Sequence, residues 1–247
     1  MTLPGRRGGA YTARVAESRP GYASVDGARA GTLEQLRHML RLDDDLSPFY
    51  ARASADPELA WVSAGAGRML RSPTVFEDVV KTICTTNCAW SGTVRMVTAL
   101  VDHLGASARG GARAFPSPAA MARAGLDFYR DVARAGYRGA YLQSLAEQVA
   151  GGSLDLEELN DSELPDAEVE VRLLALPGVG PYAAAHVMLT SLGRYSRLVL
   201  DSWTRPTYAR LSGRKASDKT IARRFSGYGE FAGLAFWLTL TRDWVPA

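Results

Sequence analysis

Two stretches of this 247-residue chain hold residue types able to do chemistry. Leu173 to Ala183 reads as two helical segments around a Pro-Gly-Val-Gly turn, Pro177 to Gly180. Gly178 and Gly180 can take backbone angles closed to other residues and let a surface approach the main chain. Pro181 suits the first position of the second helix. The free N–H groups and dipole at such an end bind phosphate. A plain helix–helix corner would carry the same turn. Further on, Leu198-Val199-Leu200-Asp201-Ser202-Trp203 sets a single carboxylate between an apolar triplet and a helix start. Asp201 suits an N-cap there, and the helix dipole favours its charge. The same carboxylate could therefore stabilise a developing cation or activate water.

The elements that must position these residues are helical. Thr32-Leu33-Glu34-Gln35 reads as a capping box. Ser47-Pro48, Ser72-Pro73 and Ser117-Pro118 each place a capping hydroxyl before a proline at a helix start. Apolar residues recur at helical spacing at Val75, Val79 and Ile83, then at Val94, Val97 and Val101. Residues 118–150 read as two helices broken near Gly136, 166–176 and 182–192 as a pair, and 227–243 as one final helix. Strand signal is confined to a brief alternation from Tyr11 to Val15. The expectation is a mainly α protein, with residues 1–31 an N-terminal extension or remnant sheet, partly mobile, and 32–247 the helical domain.

Composition narrows the class. With 47% hydrophobic and 22% charged residues the chain can bury a core, which excludes disorder. No apolar run reaches the length needed to span a bilayer, so no membrane is expected. Arg6 and Arg7 are followed by no apolar core, which leads to a cytoplasmic expectation. Net charge is +3, unevenly placed. Nine basic residues against Asp201 and Asp218 make residues 194–224 +7, whereas 155–170 hold eight acids and no base. Such asymmetry suggests one face for polyanions and a separate acidic one, although solvated helix faces would look alike. Cys84 and Cys88 are four apart and read as two buried helix thiols. They are too few for an iron–sulfur cluster. A zinc site would need two more ligands from His38, His103 and His186. No metal is expected.

Taken together, Leu176 to Gly180 followed by Asp201 resembles the helix-hairpin-helix glycosylase superfamily, whose members carry a Leu-Pro-Gly-Val-Gly hairpin and an Asp about 20 residues later. The resemblance covers roughly residues 33–245. It implies a two-lobed helical fold with a reduced N-terminal sheet. It also implies a base-excision-repair DNA glycosylase that flips a damaged base out of double-stranded DNA. Ile83 to Asn87, Phe115-Pro116 and Gly136-Tyr137-Arg138-Gly139-Ala140-Tyr141 are similar to segments of the 8-oxoguanine glycosylases. By that likeness Tyr137 wedges into the duplex while Asn87 and Arg138 hold the partner base. Gly178, Val179 and Gly180 anchor the backbone, Asp201 is catalytic, and Tyr182, His186 and Trp237 line the base pocket. A monovalent cation on the hairpin carbonyls and a monomer located at the nucleoid are further implications.

Departures from the pattern shape the expected chemistry. Bifunctional members carry a lysine two residues after the hairpin's last glycine, where this chain has Tyr182. Its three lysines, Lys81, Lys215 and Lys219, lie elsewhere in the sequence, so a monofunctional enzyme is expected. The family's pocket cysteine corresponds to His186, its base-reading glutamine to Gly233, its stacking phenylalanine to Trp237, and a second cytosine-contacting arginine to Gly92. An aromatic in place of the lysine is closer to the alkylation-repair enzymes, which stack electron-poor bases on rings. The expected lesion is an alkylated or oxidised purine. Three alternatives stay open: a bifunctional glycosylase/lyase, a non-catalytic hairpin DNA-binding protein, and a helical scaffold using its acidic segment.

Overall fold

The computed structural model describes residues 1–5, 9–19 and 22–244. In chain order it holds β1 (Thr2–Pro4), β2 (Ala10–Thr12), β3 (Arg14–Arg19), β4 (Tyr22–Asp26), α1 (Thr32–Leu40), α2 (Ser47–Ala53), α3 (Val75–Thr85) and α4 (Trp90–Leu104). There follow α5 (Pro118–Arg123), α6 (Gly125–Asp127), α7 (Arg138–Ala150), α8 (Asp166–Leu174), α9 (Pro181–Val187), α10 (Thr204–Ser212), α11 (Asp218–Phe225) and α12 (Ala232–Thr241). The fold is mainly α. Among the described residues the sheet content is two antiparallel pairs, β1 with β2 (Leu3 opposite Tyr11) and β3 with β4 (Val15 opposite Val25). The Tyr11–Val15 alternation falls across the end of β2 and the start of β3.

The chain forms two compact units, Met1–Met39 with Ser72–Glu158 and Leu176–Gly178, and Leu40–Arg71 with Leu159–Ala175 and Val179–Ala247. In the first, α3 packs on α4 and α7, and α5 on α7. Val75, Val79 and Ile83 of α3 are buried, as their spacing predicts. In α4 the buried face is Thr93, Met96 and Leu100, and Val94 is exposed. Both triplets have helical spacing, and tertiary packing selects between them.

In the second unit, α12 is buried on every side except at Trp237, because it runs through a core built from α2, α9, α11 and their neighbours. The single helix expected over 227–243 is broken at Gly229, whose φ of 59° and ψ of −123° leave the helical region.

Helix starts test the capping readings. Ser117 Oγ accepts the Ala120 N–H at 3.2 Å, as expected. Thr32 does not cap α1: its Oγ1 accepts the Arg29 N–H at 2.7 Å and meets the Tyr11 hydroxyl at 3.0 Å. α2 starts at Ser47 itself, without a side-chain cap. α3 starts two residues past Pro73, capped by Thr74, whose Oγ1 accepts the Glu77 N–H at 3.2 Å. Of these four helix starts, only those of α3 and α5 are capped by a hydroxyl, Thr74 and Ser117.

Two further expectations are corrected. α3 ends at Thr85, so only Cys84 is a buried helix thiol, with burial pushing its pKa up to about 12; Cys88 is exposed. The acidic segment and the basic stretch are not separate faces. Arg194 pairs with Asp166 at 2.9 Å, and Arg197 with Glu170 at 2.7 Å. Among the described residues no helix is long and apolar enough to cross a membrane.

Candidate active site

α8 and α9 flank the hairpin. Gly178 sits at φ 76°, and a Cβ there would lie 2.7 Å from Cδ2 and 2.9 Å from Cγ of Tyr141. Those are the stem atoms of the ring, which cannot swing clear. Glycine at 178 is therefore required both by backbone angle and by space. Gly180 is extended at φ −103°, ψ −174°, and the space beside its Cα is open. Val179 between them is buried and anchors the turn. Gly178→Ala is expected to cost about 1–3 kcal/mol of stability, read as a lowered denaturant midpoint; an unchanged midpoint would show that the turn tolerates a side chain.

α9 carries Tyr182 and His186 one turn apart, and their rings stack at 5.7 Å and 26°. His186 meets Trp237 of α12 edge-on at 5.9 Å. Trp237 in turn contacts Trp203 at 5.7 Å and Trp244 at 6.3 Å, and those two contact each other at 5.6 Å. Three predicted pocket residues thus come together and are joined by two tryptophans that spacing did not single out. Trp203 is 39% exposed and Trp244 64%, so this aromatic wall opens to solvent. The one available signal was that Trp203 stands two residues from Asp201.

Asp201 is half-buried at the same place in the chain. Its Oδ1 accepts N–H bonds from Trp203 (2.8 Å) and Thr204 (2.6 Å), and its own N–H donates to Thr204 Oγ1 at 2.8 Å. This reciprocal capping fixes the carboxylate at the start of α10 and ties it to the backbone of Trp203. Arg205, four residues further on, is held by both oxygens of Asp218 at 2.8 and 2.9 Å. That pair raises the guanidinium's pKa and lowers the carboxyl's, each chiefly through the shared hydrogen bond. Lys81 lies in the first unit on Glu77, and Lys215 and Lys219 are exposed around the start of α11.

The first unit holds the second group of predicted residues. Asn87 takes a left-handed φ of 46°, and its Nδ2 donates to the Tyr137 hydroxyl at 3.1 Å. Tyr137 is 55% exposed and packs edge-on against Tyr141 at 6.0 Å. Arg138 differs from expectation. It is only 7% exposed, and its Nε donates to Thr86 O at 3.0 Å, its Nη1 to Ala135 O at 3.3 Å and its Nη2 to Thr86 O. Its guanidinium also lies 4.6 Å from the Tyr137 ring centroid. In this arrangement it braces the Asn87–Tyr137 pair rather than offering itself to a ligand. Three residues after Asn87, Trp90 opens α4 with 74% of its surface exposed.

No family model matches the chain. It is 31% identical to N-glycosylase/DNA lyase OGG1 of Arabidopsis thaliana over 244 residues, which cover 91% of this chain and 64% of that protein. It thus spans just under two thirds of the length of that curated relative. Among solved structures it superposes on Clostridium acetobutylicum 8-oxoguanine glycosylase/lyase with a TM-score of 0.77 at 22% identity, over 97% of this chain and 87% of the other. On the 3-methyladenine DNA-glycosylase from Archaeoglobus fulgidus the TM-score is 0.78 at 19% identity, over 98% and 85%. A hairpin, an aspartate capped at a helix start and a mainly helical framework are thus similar in sequence to one DNA glycosylase and in fold to two.

Proposed function

We propose that the protein is a DNA N-glycosylase that everts a damaged purine from duplex DNA and hydrolyses its glycosidic bond. The observation that carries this reading is the Asp201 carboxylate, capped in place beside Trp203 of a five-ring aromatic cluster. A base cannot be cleaved inside the stack, so it must leave it. Tyr182, His186 and Trp237 would hold the everted base, with Trp203 and Trp244 extending the same wall. As the glycosidic bond breaks, positive charge develops on the sugar. Asp201 would stabilise that charge and take a proton from the attacking water. Its two capping donors, the Trp203 and Thr204 N–H groups, both bind Oδ1, which leaves Oδ2 for this work.

In the same reading, the Gly178, Val179 and Gly180 amides grip a phosphate. Tyr137 fills the vacated space, and Asn87 contacts the partner base with Arg138 as its brace. The carbonyls of Leu176, Gly178 and Val179 accept no backbone hydrogen bond among the described residues, which suits a monovalent cation held there. The ring cluster favours electron-poor, alkylated purines, because a cationic ring is attracted to aromatic faces. An oxidised purine is the second reading, on the Asn87–Tyr137 pair. Hydrolysis rather than lyase chemistry follows from Tyr182 standing where a Schiff-base lysine would be needed. The protein would act as a monomer on DNA in the cytoplasm.

The test is a screen of duplexes containing 8-oxoguanine, 3-methyladenine analogues, hypoxanthine or uracil. Release of an alkylated or oxidised purine is expected, leaving an intact abasic strand and no complex trapped by borohydride. Strand nicking without alkali, or a trapped complex, overturns the monofunctional assignment. Tight duplex binding with no base released from any substrate favours the non-catalytic alternative.

A further inference from the structure

The basic stretch over 194–224 divides into two sets. Arg194, Arg197, Arg205 and Arg224 are neutralised by Asp166, Glu170, Asp218 and the Asp56–Glu58 pair. Arg210, Arg214, Lys215, Lys219 and Arg223 are exposed, and among the described residues none of their side chains makes an ion pair or hydrogen bond. All five belong to one corner: the end of α10, the connecting loop and α11. The sole acid between 210 and 224, Asp218, is spent on Arg205. This stretch of chain therefore carries five positive charges without compensation.

The corner is firmly built. The Arg205–Asp218 clasp joins the starts of α10 and α11. Tyr208 of α10 packs edge-on against Phe225 of α11 at 6.2 Å, and Phe225 against Phe236 of α12 at 5.3 Å. Ser217 caps α11, its Oγ accepting the Thr220 N–H at 3.3 Å. Ile221 and Phe225 are buried, which turns Lys219 and Arg223 outward on the opposite side. Lys219 and Arg223 stand four residues apart on α11, a spacing at which like charges repel and weaken a helix, and Lys215 precedes its cap in the loop. A rigid scaffold that holds repelling charges together is suited to a polyanion of regular charge spacing.

We propose that this corner is a lesion-independent grip on the phosphate backbone of duplex DNA, separate from the hairpin. The inference rests on the DNA reading given above. Counting along α10 from Thr204 to Ser212, the far end of that helix lies about 12 Å beyond the Asp201 cap, whereas the Arg205–Asp218 clasp holds the start of α11, with Lys219, beside its first turn. Phosphates on one strand are spaced at ~3.4 Å of helix rise, so a duplex spans that distance in three or four base pairs. The five charges would bind any sequence and contribute chiefly to search and residence on undamaged DNA.

The experiment uses the full chain and undamaged duplex DNA, with binding measured by fluorescence anisotropy across about 50–200 mM salt. Three proteins are compared: the wild type, a variant with Arg210, Arg214, Lys215, Lys219 and Arg223 all changed to Gln, and a charge-preserving variant with Arg210, Arg214 and Arg223 changed to Lys. The log–log salt slope of the Gln variant is expected to be shallower by about 3–4, at roughly 0.9 per lost phosphate contact, while the Lys variant keeps the wild-type slope. A Gln variant whose thermal melt matches the wild type and whose slope lies within about one unit of it overturns the proposal. So does a wild type that prefers single-stranded RNA to duplex DNA through the same five charges. A wild type that binds no duplex, damaged or not, instead overturns the DNA reading on which the inference stands.

Discussion

Asp201→Asn is expected to slow base release in single-turnover assays by at least about a thousandfold, with duplex binding within a few-fold of wild type. A thousandfold is about 4 kcal/mol of lost transition-state stabilisation, the upper range for removing one preorganised electrostatic group. Asparagine is the informative substitution because it is as good an N-cap as aspartate. Its side-chain oxygen can still accept the Trp203 and Thr204 N–H groups, so the start of α10 and the position of Trp203 survive. What disappears is the negative charge and the ability to take a proton from water. A melting temperature within a few degrees of wild type, together with near wild-type excision, would remove Asp201 from the mechanism. Alanine at the same position is less decisive, because losing the cap itself costs about 1 kcal/mol.

Gly233→Gln is expected to destabilise the protein by roughly 3 kcal/mol or more, and so to lower the melting temperature by about 6–12 °C. It is not expected to confer recognition of 8-oxoguanine, although the resemblance aligns this position with a base-reading glutamine. The obstacle is main chain. The Gly233 N–H donates to Tyr195 O at 2.6 Å. A Cβ at 233 would overlap the Arg197 carbonyl oxygen and lie 2.9 Å from Tyr195 O. Neither carbonyl can swing away, because Tyr195 and Val199 are buried in the core that α12 traverses. Gly233→Ala should show most of the same loss. A glutamine variant that melts with the wild type and gains 8-oxoguanine excision would mean that this loop yields, and that position 233 belongs to the pocket.

The same contrast between local and distant contacts runs through the rest of the protein. Arg138 has the residue type and neighbours of a base-contacting arginine, but carbonyls at Thr86 and Ala135 take up its guanidinium. Residues 155–170 and 194–224 look like opposed faces in one dimension. Folding brings Asp166 and Glu170 onto Arg194 and Arg197 across 27 or 28 positions of sequence. Trp203 and Trp244 carry no periodic signal, yet both close on Trp237.

The amino-acid order alone determined the helical class, the glycine turn at 178–180 and the capping aspartate at 201. Each depends on interactions within about four residues, where backbone angle, helix period and side-chain reach follow from residue type. Tertiary structure alone decided which of the nine basic residues remain unneutralised, which rings join Tyr182, His186 and Trp237, and why position 233 excludes a side chain. Those outcomes depend on partners tens of residues away, and composition and spacing hold no record of which distant groups the packed core brings together.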